Sequence, residues 1–403
     1  MTRIASVSSR LLASAALTVL SAAGALAEDA ETHYRLFIGD HAEGVVRAID
    51  AESGEALAAF DIDMTPALTA SASGRFVFAV QGDAAKVAVI DTGIALEDHG
   101  DHADITLADP ALLEITLTGT KPAHVVEGSG RIALFDDGTG DVTVFSELGL
   151  LQGRHAPETL SPGAAHHGLA APMGDYMVVS VPHDDPEQPR VGLKVIDKAG
   201  AQIGEVMPCP AVHGQAQSAR VFAFGCKDGV VFASPGQAGA APDLIHVPTA
   251  ELGEGNVSTL KGGTALQVFL GNYGPDAVVL IEPGSDAPFR KIDLPTRRVD
   301  FALDPVIARN VYILTEDGQL HLLDILSGEI KQSVTVTDPY SMDGHWRDPR
   351  PRLAVAGDHI AITDPLQGMV RMISTETLTE VRQIPVEGVP YTIIAVGGSG
   401  ATH

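Results

Sequence analysis

Histidine returns at one phase of this sequence. His124 in "KPAHVVEGSGR" lies seven residues before Arg131, which opens the apolar run "RIALF", and His213 in "AVHGQAQSARVFAF" lies seven before Arg220. His167 in "GAAHHGLAAPMGDYMVV" falls eight before Asp175, and His345 in "DGHWRDPRPRLAV" falls seven before Arg352. Three neutral imidazoles on fixed backbone can hold zinc at about 2.0–2.1 Å and leave a fourth tetrahedral place for a carboxylate or water. Glu127, Asp136 and Asp137 are the carboxylates near the first of these histidines, and their order is left open. With no clustered methionine, soft copper(I) is disfavoured, nickel and copper(II) stay open, and zinc fits best. His166 competes with His167, because a one-residue slip in register exchanges them.

A second group sits in "EDHGDHAD", residues 97–104, where Asp98, His99, Asp101, His102 and Asp104 crowd a short glycine-containing loop. Such a loop can wrap a cation, but ordering it on binding costs affinity, so a weaker and more exposed capture site is expected. The other use of all these imidazoles is hydrogen bonding at a polar surface. His33, His41, His155, His183, His246, His321, His359 and His403 carry no pattern and are read as structural or solvent-facing.

Something must bring His124, His167 and His213 together. Short apolar runs occur in pairs, each pair parted by a Gly/Asp/Asn turn; "RFVFAVQGDAAKVAVIDTG" (75–93) is the clearest. Seven more such units start near 34, 131, 175, 220, 265, 310 and 352, making eight. Strands of this length with no helical period indicate an all-β chain. A repeat of about 40 to 50 residues built from them predicts a β-propeller of eight four-stranded blades around a central channel. The C-terminal run "VPYTIIAVGG" (389–398) would supply the innermost strand of the first blade and close the ring. A histidine just before each second strand would then enter the innermost strand at one mouth of the channel. His124, His167 and His213 fall in the third, fourth and fifth blades, so they would be neighbours; His345 falls in the eighth, across the channel.

Arg3 and Arg10 precede the apolar stretch "LLASAALTVLSAAGALA", and Ala25-Leu26-Ala27 has cleavage-site spacing, which predicts a signal peptide over 1–27 and one exported domain over 28–403. No later run reaches the roughly 18 to 20 apolar residues of a membrane span. Removing the peptide leaves 24 basic against 52 acidic residues, a net charge of −28 that repels nucleic acid and anionic lipid. Cys209 and Cys226 in an exported chain are expected to form a disulfide.

Haem-attachment, HExxH, GxSxG and dinucleotide-loop signatures are missing, and a single tryptophan argues against quinone-dehydrogenase propellers, whose blades repeat it. No residue is marked as the general base a zinc hydrolase needs. The segments "DHGDHAD", "PAHV", "AAHHGLA", "VHG" and "DGHWRDPRPRLAV" resemble the AztD family of periplasmic zinc metallochaperones over essentially the whole mature chain. The resemblance implies a periplasmic carrier that captures zinc and passes it directly to the solute-binding protein of a zinc ABC transporter; the chain is expected to be a monomer and not an enzyme. Some relatives carry a His-rich segment at the mature N-terminus, where "EDAETHYRLF" offers only His33. Two other classes stay open: a metal-dependent hydrolase or lactonase, and an interaction propeller that binds no metal.

Overall fold

The second strand of each blade is the most apolar part of the repeat, and its burial explains the sequence. Phe76–Gln81 is buried at all six positions and Arg131–Asp136 at five of six. A blade packs both faces against neighbours, so its middle strands read as continuous apolar runs instead of alternating ones. The structure, a computed structural model, describes residues 32–99, 103–154, 156–263 and 266–399. The expected signal peptide, residues 1–27, lies outside these.

Eight four-stranded antiparallel sheets form the blades. Blade 3 runs outward from Pro122–Gly128 through Arg131–Asp136 and Val142–Phe145 to Glu158–Leu160. Blade 4 begins at Ala170–Met173 and blade 5 at Gln215–Ser218. The first strands of most adjacent blades touch, so they line the channel. Blade 1 takes its innermost strand from the C-terminus: Pro390–Ser399 pairs with Thr32–Asp40 from Thr32↔Ser399 to Asp40↔Pro390. That pairing closes the ring as expected and covers two edges that would otherwise be free to associate. The core is correspondingly divided. Eight apolar clusters fill the eight interfaces between neighbouring blades, from Phe37 with Val77 between blades 1 and 2 to Tyr34 with Ala354 between blades 8 and 1.

One recurring device fixes where several blades begin. A polar side chain ending the second strand accepts backbone N–H groups from the segment that leads into the first strand of the same blade. Gln81 Oε1 takes Asp63 N at 2.7 Å and Met64 N at 3.0 Å, Asp136 Oδ1 takes Lys121 N at 3.0 Å, and Asn272 Oδ1 takes Thr259 N at 2.6 Å. Satisfying these N–H groups holds the entry loops at the channel mouth in one conformation. In blade 5 the equivalent residue is Gly225, because a Cβ there would lie 2.1 Å from Val257 O. Backbone bonds replace the side chain, His213 N to Gly225 O at 2.9 Å and Gly225 N to Gly214 O at 3.2 Å. Next to them the expected disulfide joins Cys209 to Cys226, with an S–S distance of 2.03 Å.

The insertion after blade 2's third strand is a hairpin, Ile94–Asp98 with Ala103–Leu107. Strand directions put it at the mouth opposite the entry loops. Buried Arg35 anchors its base by donating to Ala108 O at 2.7 Å, and Leu96 abuts Gly398 near the end of the closing strand.

Candidate metal centre

His124 enters on the first strand of blade 3, while His167 and His213 sit on the loops three and two residues before the first strands of blades 4 and 5. The ring brings them together at one mouth. His124 Nε2 and His167 Nε2 are 3.4 Å apart, and ring centroids are 4.9 Å apart for His124–His167 and 5.4 Å for His167–His213. Two ligands on one tetrahedral zinc are separated by about 3.3 Å, given bonds of about 2.0–2.1 Å. The His124–His167 spacing is therefore already that of a ligand pair.

The other nitrogen of two rings is held from behind. His167 Nδ1 donates to Asp137 Oδ2 at 2.6 Å, and His213 Nδ1 donates to Ser258 O at 2.8 Å. A carboxylate or carbonyl can only accept, so Nδ1 carries the proton, and in the neutral ring Nε2 presents its lone pair. Asp137 is thus an orienting residue behind the trio. Of the other carboxylates considered for the fourth place, Asp136 is buried and caps Lys121 and Gly138, and Glu127 accepts from Ala72 N at 2.7 Å. His166 is likewise occupied: its Nδ1 bonds Ala164 O, its Nε2 meets Ser180 Oγ at 2.7 Å, and its ring packs edge-on against Phe135. His167 is the ring that faces the cluster.

Burial, followed by the neighbouring His167, drives His124 down to about 4, against the upward pull of Asp137. Burial is also the main cause that lowers His213. These two imidazoles are accordingly neutral near pH 7, the form that binds metal. Arg190, whose Nε donates to Val212 O at 2.8 Å, fixes the backbone just before His213. Beside the rings lies a cavity of about 210 Å³ lined by His124, His213, Gln215, Ser258 and Thr259, which leaves one side of the cluster open. Sequence reasoning missed Arg190 and Ser258, which lie in distant segments and reach the site only through the ring.

Among the described residues, the one set of three His, Cys, Asp or Glu donor atoms mutually within 4.8 Å is Cys226, Asp228 and His246. Cys226 is in the disulfide and offers no thiolate, which leaves an Asp228–His246 pair at 3.1 Å. The histidine trio is wider than that limit, so at least one imidazole must move inward to complete three-point ligation.

At the opposite mouth, His99 Nε2 lies 3.3 Å from Asp104 Oδ2, both exposed; Asp101 and His102 lie outside the described residues. His345 differs from its expected phase. The run "RLAVA" is blade 8's first strand, Leu353–Ala356, and its second is His359–Asp364, so His345 sits eight residues ahead of the blade instead of at its entrance. Among the unpatterned histidines, buried His321 bonds Thr315 Oγ1 and Ser333 Oγ at 2.9 and 2.7 Å, a satisfied core residue as expected.

Fold and site together define an eight-bladed propeller with a cluster of oriented imidazoles at one channel mouth. No protein-family model matches the chain. A curated protein, "Zinc chaperone AztD" of Citrobacter koseri, is 46% identical over 399 residues, covering 98% of this chain and 94% of that one. The crystal structure of Citrobacter koseri AztD superimposes with a TM-score of 0.89 at 47% identity, over 93% of this chain and 100% of that one. The structure of apo AztD from the same organism does so with a TM-score of 0.87 at 44% identity, over 92% and 100%. The chain belongs to the AztD zinc chaperone family.

Proposed function

We propose that this protein is a zinc carrier in which His124, His167 and His213 hold the ion through their Nε2 atoms. The observation that carries the reading is the 3.4 Å spacing of His124 and His167 Nε2, with Asp137 fixing the second ring from behind. The kinship to a protein named a zinc chaperone supports zinc as the cargo. In this reading the protein is exported by cleavage after Ala27, acts as a periplasmic monomer, and gives its zinc to the solute-binding protein of a zinc ABC transporter.

The donor set suits a carrier better than a structural site. Four closed ligands would trap the ion, whereas three imidazoles beside a cavity let an incoming ligand take the fourth place and then displace the others one at a time. The reading has no role for catalysis: Asp137 is engaged by His167 and Gly168, so it is not poised as a general base toward a bound water. The segment 97–104, whose sequence holds His99, Asp101, His102 and Asp104, is read as a second, weaker capture site, with His99 and Asp104 at the far mouth.

The test is a zinc titration against a competing chelator, with the chain from Glu28 compared with its His124→Ala/His167→Ala/His213→Ala variant. Loss of one tight site with survival of a weak one is the expected result. Unchanged tight binding would move the site away from the trio, first to the hairpin.

A further inference from the structure

Trp346 is the only tryptophan of the chain and, among the described residues, the most solvent-exposed large apolar side chain, at 69%. Burial cannot explain it. Its loop, between Glu329–Thr335 of blade 7 and Leu353–Ala356 of blade 8, is nevertheless held tightly. Arg350, only 4% exposed, donates to Ser341 O, Asp343 O and His345 O at 2.9, 2.7 and 2.9 Å. Asp348 accepts from His345 N at 2.8 Å, and His41 of blade 1 donates to Arg347 O at 2.6 Å. Arg347 lies over the indole, 4.8 Å from its centroid, and pairs with Asp83 of blade 2 at 3.1 Å. Polar groups of three blades thus order a loop that displays an indole to solvent.

Position adds a second observation. The connection from one blade's outer strand to the next blade's first strand is the class of loop that carries His167 and His213, so Trp346 stands on the same mouth as the trio. Leu366, 67% exposed, lies in the turn between blade 8's second and third strands, on that mouth as well. Tryptophan and arginine are the side chains most enriched among residues that dominate protein interfaces, and a loop ordered before contact avoids part of the entropic cost of binding. The chain is otherwise strongly acidic, with a net charge of −26, and would repel an acidic partner nearly everywhere else.

We infer that the Trp346–Arg347 loop is the docking platform for the zinc acceptor, whose complementary face presents an apolar pocket for the indole rimmed by carboxylates for Arg347. The inference rests on the handover reading above. Docking here places the acceptor over the mouth that holds the trio, leaving the zinc ligands themselves free to exchange.

The experiment mixes zinc-loaded protein with the metal-free solute-binding protein of the zinc transporter, in excess chelator and with the acceptor below saturation, and follows zinc arrival. Trp346→Ala is expected to slow transfer at least about tenfold. Arg347→Glu should slow it most at low salt, where screening is weakest. Both variants should keep the parent's zinc affinity by chelator competition, a readout that also reports an intact fold. Wild-type transfer faster than dissociation, combined with unchanged transfer by Trp346→Ala and Arg347→Glu, would overturn the docking platform and leave handover standing. Wild-type transfer no faster than spontaneous dissociation would overturn both.

Discussion

His213 and His345 each stand seven residues before an arginine and open onto the same mouth, yet only one joins a cluster. His213 lies two residues ahead of its blade's first strand, with its Nδ1 held by Ser258 O of the next blade's entry loop and its backbone held by Gly225 and the adjacent disulfide. His345 lies eight residues ahead of its blade, on a loop where its ring lies tilted against Trp346 with centroids 5.6 Å apart and its Nδ1 accepts from Arg347 N. The difference shows that spacing from an apolar run is informative only when that run is the same strand of the blade. It also shows what gathers these imidazoles: positions at the entrances of adjacent blades, with an acceptor behind two of the three rings.

The sharpest way to break this comparison is to remove one ring from each side. His167→Ala should cost the tight zinc site more than about a hundredfold, beyond the roughly 10- to 100-fold typical of residues that only orient a ligand. His345→Ala should leave affinity unchanged; an equal loss from both in chelator titrations would abolish the distinction. Asp137→Asn keeps the side-chain shape but weakens the hold on His167 Nδ1, and should fall in that 10- to 100-fold range. A smaller effect is expected from Cys209→Ser/Cys226→Ser. Opening a loop with a sequence separation of 17 should cost about 3 kcal/mol of stability by urea denaturation, and zinc affinity should drop only several-fold as His213 loosens.

The smallest effect is a pH slope. His124 is near 4 in the folded chain and about 6.5 when unfolded. The unfolded state therefore binds more protons between those values. This group leaves stability untouched above pH 6.5 and subtracts from it as pH falls toward 4. Metal-free His124→Gln should show a shallower fall of the urea midpoint over that window; an unchanged slope would contradict the burial of this ring.

Most of the architecture was legible because it follows from period. Eight paired apolar runs gave eight blades, and "VPYTIIAVGG" gave the closing strand, since each unit repeats one pattern of burial. The exception is instructive: "RLAVAGDHIAITD" holds two apolar strands in succession, and nothing local marks which is the inner one. At the site, three histidines were legible by phase, whereas the choice of His167 over His166 was not, because it depends on whether Ser180 or Asp137 meets the ring. The same holds for Asp137, expected among the possible ligands and found behind the His167 ring. Its position is set by contact between blades, which sequence spacing does not carry.

The most direct test is a crystal structure of the zinc-loaded protein with anomalous scattering recorded at the zinc edge. The dominant peak is expected within about 2.0–2.1 Å of Nε2 of His124, His167 and His213, with His213 drawn toward the other two. A dominant peak at the His99–Asp104 hairpin, or between Asp228 and His246, with none at the channel mouth would contradict the assignment of the trio.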